Sequence, residues 1–256
     1  GMWGSTGQAD GLPTRLGVPL ADLVSGIWSA LGTITALHQR ERTGRGQKVE
    51  TSLLAGVVGM LCVQGQRYLS LGELPQRIGN EHPVIYPYGA FEAADGMINI
   101  AAATQSQWQN LCHLLDLEDL IQQSEFVDNE ARSANREQLR KIFNSRLSSR
   151  NAIDWTTMLM ENGVPAGPVF DLQQLFEDPQ VQATGLVELV DHPQLGEIKQ
   201  LSNPLRLESM GSKTVRLAPP LLGQHTDEIL KELGFTSETM GELQEGGIIF
   251  QDTENI

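Results

Sequence analysis

Leu20, Leu23, Val24, Ile27, Trp28, Leu31, Ile34 and Leu37 recur at steps of three and four, which predicts an amphipathic helix over 20–42. Gly44 and Gly46 stop that helix, and the alternation through Lys48-Val49-Glu50-Thr51-Ser52-Leu53 predicts a strand, so this stretch reads as half of an α/β unit. Residues 54–71 carry almost no charge before Arg67, which predicts a second helix buried on most of its circumference. Gly72, Pro75, Gly79, Asn80, Pro83 and Pro87 then mark 72–87 as a linker or functional loop, with a domain boundary in it. Two alternating runs, 88–93 and 97–101, flank Ala94-Asp95-Gly96 and predict a β-hairpin. Helical periodicity follows over 105–115, 129–148 and 152–162, the last closed by Gly163. Beyond a loop at 165–168 come a short helix over 172–176, paired strands at 186–190 and 197–201, and helices over 226–233 and 237–245.

Composition supports a globular reading. The chain has 256 residues, 40% hydrophobic and 20% charged, enough for one large domain or two modest ones. Its formal net charge of −14 disfavours nucleic acid or an anionic membrane as partner, because both need clustered Lys and Arg. Only Cys62 and Cys112 occur, so a disulfide framework is not expected and a reducing, cytoplasmic setting is. The apolar run 17–38 is interrupted by Asp22 and by Gly, Ser and Thr, so no membrane-spanning or targeting segment is expected.

Few residues carry chemistry. Asp22 stands where the first helix begins; its structural reading is an N-cap, and its functional reading is an ionised, oriented nucleophile fit to attack a thioester carbonyl. His82, in Gly79-Asn80-Glu81-His82-Pro83, is either a packing residue of a loop or a participant in chemistry. The five histidines form no i, i+4 pair and there is no Cys-x-x-Cys, so no metal is expected. Gly44-x-Gly46 extends to neither a dinucleotide nor a P-loop motif, and no Gly-x-Ser-x-Gly elbow is present. On the residues alone, the chain is a soluble cytoplasmic α/β protein with a notable loop near residue 80.

Four stretches in series add a resemblance: Gly17-Val-Pro-Leu-Ala-Asp22-Leu-Val-Ser-Gly26; Arg42-Thr-Gly-Arg-Gly-Gln47; Gly79-Asn-Glu-His-Pro-Val-Ile-Tyr-Pro-Tyr-Gly-Ala-Phe91 with Asp95-Gly96; and Pro219-Pro-Leu-Leu-Gly-Gln-His225-Thr-Asp-Glu. Preceded by Gly4-Ser5-Thr6-Gly7 and Pro13-Thr14-Arg15, they resemble the family III CoA-transferases, the formyl-CoA and carnitine CoA-transferase group related to α-methylacyl-CoA racemase. The resemblance implies an α/β fold with three parts: residues 1–75 as the remnant of a Rossmann-like large domain, 76–185 as a small α+β domain, and 186–256 returning to the large domain.

It further implies CoA transfer from an acyl-CoA to a carboxylic acid through an aspartyl-CoA thioester on Asp22. Gly79 and Asn80 would belong to a loop that covers the intermediates, and His82 would lie near the acyl group. CoA enters as a thioester substrate, so no cofactor is implied, and the other partners are small carboxylic acids and a second copy in an interlocked dimer. Such enzymes carry an N-terminal portion, ahead of the region matching residue 1, that supplies most CoA contacts, so the chain corresponds to their C-terminal part. The alternatives are a non-catalytic dimeric scaffold, a subunit of a split enzyme, or an acyl-CoA racemase, whose histidine would lie in that N-terminal portion.

Overall fold

The computed structural model describes residues 2–211 and 213–251. The chain divides into two compact units, one through Val169 and one from Phe170. In the first, a short 3₁₀ turn at Met2–Ser5 precedes α1 (Leu20–Thr43), α2 (Leu53–Gly59) and α3 (Cys62–Leu71). There follow the strands β1 (Tyr88–Glu92) and β2 (Met97–Ala101), the helices α4 (Gln105–Leu114), α5 (Asn129–Ala134), α6 (Arg136–Leu147) and α7 (Ala152–Glu161), and β3 (Ala166–Pro168). The expected hairpin is present: β1 pairs antiparallel with β2 from Tyr88↔Ala101 to Glu92↔Met97. The 165–168 loop instead contributes a third strand, with Ile100 opposite Ala166 and Ile98 opposite Pro168, and Pro168 sits where an edge tolerates a missing N–H.

Helices α4, α6 and α7 close over this sheet. Phe91, Ile98 and Ile100 meet Trp108, Leu111, Phe143 and Leu159 in a fully buried cluster, and Phe91 and Phe143 stand edge to face at 5.6 Å. Each large side chain removed from water here contributes roughly 1.5–3 kcal/mol, so this layer holds residues 86–166 together. Thr104 and Gln107 form a reciprocal capping box at the start of α4. Asp95 of the hairpin turn accepts the Ala152 amide at 2.8 Å and so pins the turn to the start of α7. Arg132, 2% exposed, donates to the Tyr86 and Phe126 carbonyls and to Gln105 Oε1.

Three expectations need correction. Residues 48–53 form no strand, because none of the described residues offers them a backbone partner and a lone extended segment gains no ladder. The helix expected over 54–71 breaks between Gly59 and Cys62, where Cys62 takes φ 42°, giving α2 and α3. Nor is that stretch buried: Leu54, Val58 and Val63 are exposed, as are Leu23, Ile27, Leu31 and Ile34 on α1. Within the 24 residues of α1 only Val24 is buried, where the missing side chain of Gly56 lets α2 approach. By length and a mean hydropathy of 1.4, α1 also meets the criterion for a helix able to cross a membrane. A smaller correction concerns 129–148, which is two helices meeting at Asn135.

The second unit carries α8 (Leu172–Glu177), α9 (Pro179–Ala183), the hairpin β4 (Val187–His192) and β5 (Gly196–Leu201), α10 (Thr226–Glu232) and α11 (Ser237–Glu245). The predicted strand pair is thus present, paired antiparallel from Val187↔Leu201 to His192↔Gly196. The Glu188 carboxylate accepts from the Thr214 hydroxyl and from the Thr214 and Val215 amides, and these bonds hold its pKa below the usual carboxylate value.

Candidate functional site

Asp22 sits in the first turn of α1, two residues into the helix from Leu20, and the N-cap is Pro19. The capping expectation for Asp22 therefore fails: a proline fixes the entry and no side chain caps it. The carboxylate is exposed and accepts no hydrogen bond among the described residues, while Ser25 Oγ donates to the Asp22 carbonyl instead. An anion at this place in a long helix is favoured by the unpaired N–H groups of its first turn and remains open to an incoming electrophile.

The other three candidates lie together in the 72–87 segment, which contains no helix. Gly79 takes φ 68° and donates its amide to the Gly7 carbonyl at 2.9 Å; a Cβ there would stand 2.7 Å from Gln8 Oε1. The N-terminal segment is also held by Arg77, whose guanidinium donates to the carbonyls of Gly4 and Gly11. Residues 80–82 run along the free edge of β1, where Ala90 donates to the Asn80 carbonyl at 3.2 Å and His82 donates to the Tyr88 carbonyl at 2.8 Å. Glu81 is thereby opposite Gly89.

His82 has a defined tautomeric demand. Its Nδ1 accepts from the amides of Val84 (3.2 Å) and Ile85 (3.0 Å), and the ring stacks on Tyr88 at 5.0 Å. A nitrogen accepting two N–H bonds carries no proton, so Nε2 bears the hydrogen of the neutral ring and presents a donor. Burial lowers the His82 pKa, in the same direction. The structure thus gathers Gly79, Asn80 and His82 on one strap; among the described residues no hydrogen bond or ion pair joins Asp22 to them.

Sequence reading missed what holds that strap. Glu81, with 6% of its side chain exposed, accepts from Arg136 at 2.8 Å and makes a close ion pair with Arg140. The only signal in the sequence was the i, i+4 spacing of Arg136 and Arg140, which puts both on one face of α6. Glu81, Arg136, Arg67, Lys141, Gln8 and Leu74 are among the residues lining a cleft of about 990 Å³. Among the described residues no group of three or more His, Cys, Asp or Glu is placed to hold a metal ion.

Comparison with known proteins agrees with the sequence motifs. The family model described as CoA-transferase family III matches residues 1–226. The chain is 34% identical over 252 residues to a succinyl-CoA:glutarate CoA-transferase of Homo sapiens, covering 98% of this chain and 57% of that protein. It is 36% identical to a succinyl-CoA:mesaconate CoA-transferase of Haloarcula hispanica, covering 93% and 60%. A CaiB/BaiF family protein from Brucella suis superposes with a TM-score of 0.71 at 33% identity, over 91% of this chain and 60% of that one. The chain thus spans somewhat over half the length of these relatives.

Proposed function

Because the chain belongs to CoA-transferase family III, we propose that the protein transfers CoA from an acyl-CoA thioester to a small carboxylic acid, with Asp22 as nucleophile. The observation that carries the reading is the family match through the Asp22 motif, joined to an Asp22 carboxylate that is exposed and unshared. Relatives named for succinyl-CoA with glutarate or mesaconate favour a dicarboxylic acid as acceptor.

In the proposed cycle the Asp22 carboxylate attacks the thioester carbonyl, expelling CoA thiolate and leaving a mixed anhydride. The thiolate attacks the Asp22 carbonyl of that anhydride, which releases the donor acid and forms the aspartyl-CoA thioester. The acceptor carboxylate then displaces CoA thiolate from Asp22 to form a second anhydride, and the thiolate attacks the acceptor's carbonyl. Acyl-CoA leaves and the free Asp22 carboxylate returns, so the activated acyl group is stored at every stage without ATP. Gly79 and Asn80 cover the intermediates and exclude water, and the Nε2–H of His82 donates to an acyl or carboxylate oxygen.

CoA acts as substrate and no resident cofactor is required. The working unit is a cytoplasmic homodimer that binds neither nucleic acid nor membrane. The open apolar faces of α1, α2 and α3 support it, since patches of this size are rarely left in water. The division into a large-domain part (1–75), a small domain (76–185) and a return segment (186–256) belongs to the same proposal. The test is to incubate the full-length protein with succinyl-CoA and a panel of mono- and dicarboxylic acids and to follow new CoA thioesters by chromatography. Formation of an acceptor-CoA without ATP is expected; no transfer to any acid overturns the reading.

A further inference from the structure

The strap at 79–82 is fixed by a device that the chemistry above does not use. Gly89 lies opposite Glu81 and has no side chain, so the Glu81 side chain crosses β1 there towards α6; an ideal Cβ on Gly89 would come within 3.3 Å of Glu81 Cγ. On that side the carboxylate meets two cations one turn apart on α6. Its Oε2 accepts from Arg136, its Oε1 from Arg140. Both guanidinium groups are themselves held: Arg136 donates through Nε to the Ser133 carbonyl and lies 5.5 Å over the Tyr86 ring, and Arg140 lies 5.8 Å over the Phe91 ring. Tyr86 and Phe91 belong to the buried cluster, so the clamp is anchored in the core.

Side chains alternate along an extended segment, so those next to Glu81 leave the opposite face. His82 does so and stacks on Tyr88, the neighbour of Gly89 on the strand. We propose that Glu81, gripped by Arg136 and Arg140, is a positioning residue: it locks the 79–82 strap onto β1 and so sets where Asn80 and the His82 Nε2–H are presented to the acyl group. This rests on the reading of the strap as part of a CoA-transfer site. Glu81 touches no reacting atom; it acts through its neighbours. A carboxylate bridging two guanidiniums resists displacement in both directions along the strand, which a single hydrogen bond does not.

The experiment compares full-length wild-type protein with Glu81→Gln, Arg140→Gln and the double variant. Glutamine keeps the size and one acceptor but not the charge. Three quantities are read: amide exchange at His82 and Ala90, the His82 ring titration by NMR, and the kcat and KM of CoA transfer. In each variant, exchange at both amides is expected to accelerate about 10- to 100-fold, the scale of a lost charge-assisted bond. The His82 pKa should move up towards its ordinary value as the strap is released.

In Glu81→Gln that direction is diagnostic, because deleting a nearby anion by itself lowers a histidine pKa, whereas in Arg140→Gln, which removes a cation, amide exchange alone reports the release. kcat should fall by about tenfold or more, with KM for acyl-CoA nearly unchanged, and the double variant should be no worse than the singles, as expected for one shared unit. Unchanged exchange and titration overturn the clamp whatever the activity does. A released strap with unchanged kcat overturns its positioning role. A wild-type protein that transfers no CoA defeats the functional reading and with it the presentation of Asn80 and His82 to an acyl group, while exchange and titration still judge the clamp.

Discussion

Gly89→Ala is the sharpest perturbation of the strap that leaves its own residues unaltered. A Cβ at this position would lie 2.6 Å from the Asn80 carbonyl oxygen and 3.0 Å from Glu81 Cα, both backbone atoms, so the strap has to move. Two backbone bonds depend on its place, His82 to Tyr88 at 2.8 Å and Ala90 to Asn80 at 3.2 Å. At about 0.5–1.5 kcal/mol each, their loss costs about 1–3 kcal/mol. Alanine recovers about 0.5–1 kcal/mol through the smaller conformational entropy of the unfolded chain. A net loss of about 0.5–2 kcal/mol remains, a fall in melting temperature of about 1–8 °C for a unit of this size.

Calorimetry measures that fall, and amide exchange locates it: His82 and Ala90 should lose protection while Ile98 and Phe143 in the core keep theirs. If Gly89→Ala melts with wild type and both strap amides stay protected, the close approach at Gly89 is wrong, and so is the strap as described.

Three further outcomes follow from the same geometry. The His82 pKa is lowered by burial, so its folded value lies below the unfolded value of about 6.5; the contribution is complete above that pH and is lost as pH falls through the folded value. Strap protection measured at pH 7.5 and 5.5 should therefore drop in acid, and His82→Asn, whose Oδ1 replaces Nδ1 as acceptor, should flatten the difference. Arg132→Leu strands the Tyr86 and Phe126 carbonyls and should cost roughly 3 kcal/mol or more in urea unfolding; a loss below about 1 kcal/mol would contradict the role given to that guanidinium. Burial pushes the Cys112 thiol up to about 12 and Cys62 is exposed, so iodoacetamide at pH 8 should label Cys62 alone until denaturant is added, as peptide mass mapping will show.

What the sequence disclosed followed local physics. The Asp95-Gly96 hairpin, the 3.6-residue period of α1 and α4, and the glycine stops at Gly44 and Gly163 need only neighbours in the chain, and each is found close to where it was expected. Failures came where a partner decides. Residues 48–53 have the alternation of a strand but nothing to pair with among the described residues, and 166–168 lack strand character yet become β3 because β2 offers an edge. The apolar run 54–71 reads as interior by composition, whereas it lies open, since hydrophobicity specifies that a face is to be covered and not by what. At the candidate site, motifs singled out Asp22 and residues 79, 80 and 82. The Glu81 clamp was not, because it joins residues 55 and 59 positions apart that only the packing of α6 on β1 brings together.

The central claim is that Asp22 carries the acyl and CoA groups in turn. Wild-type full-length protein incubated with acyl-CoA, trapped with hydroxylamine or borohydride, digested and mapped by mass spectrometry should show the modification on the peptide containing Asp22. In Asp22→Asn that label should disappear and transfer should fall by several orders of magnitude, while the melting temperature stays close to wild type, because the exposed side chain holds no hydrogen bond among the described residues. Full transfer by freshly prepared Asp22→Asn, or a trapped adduct on a different peptide, would contradict the account.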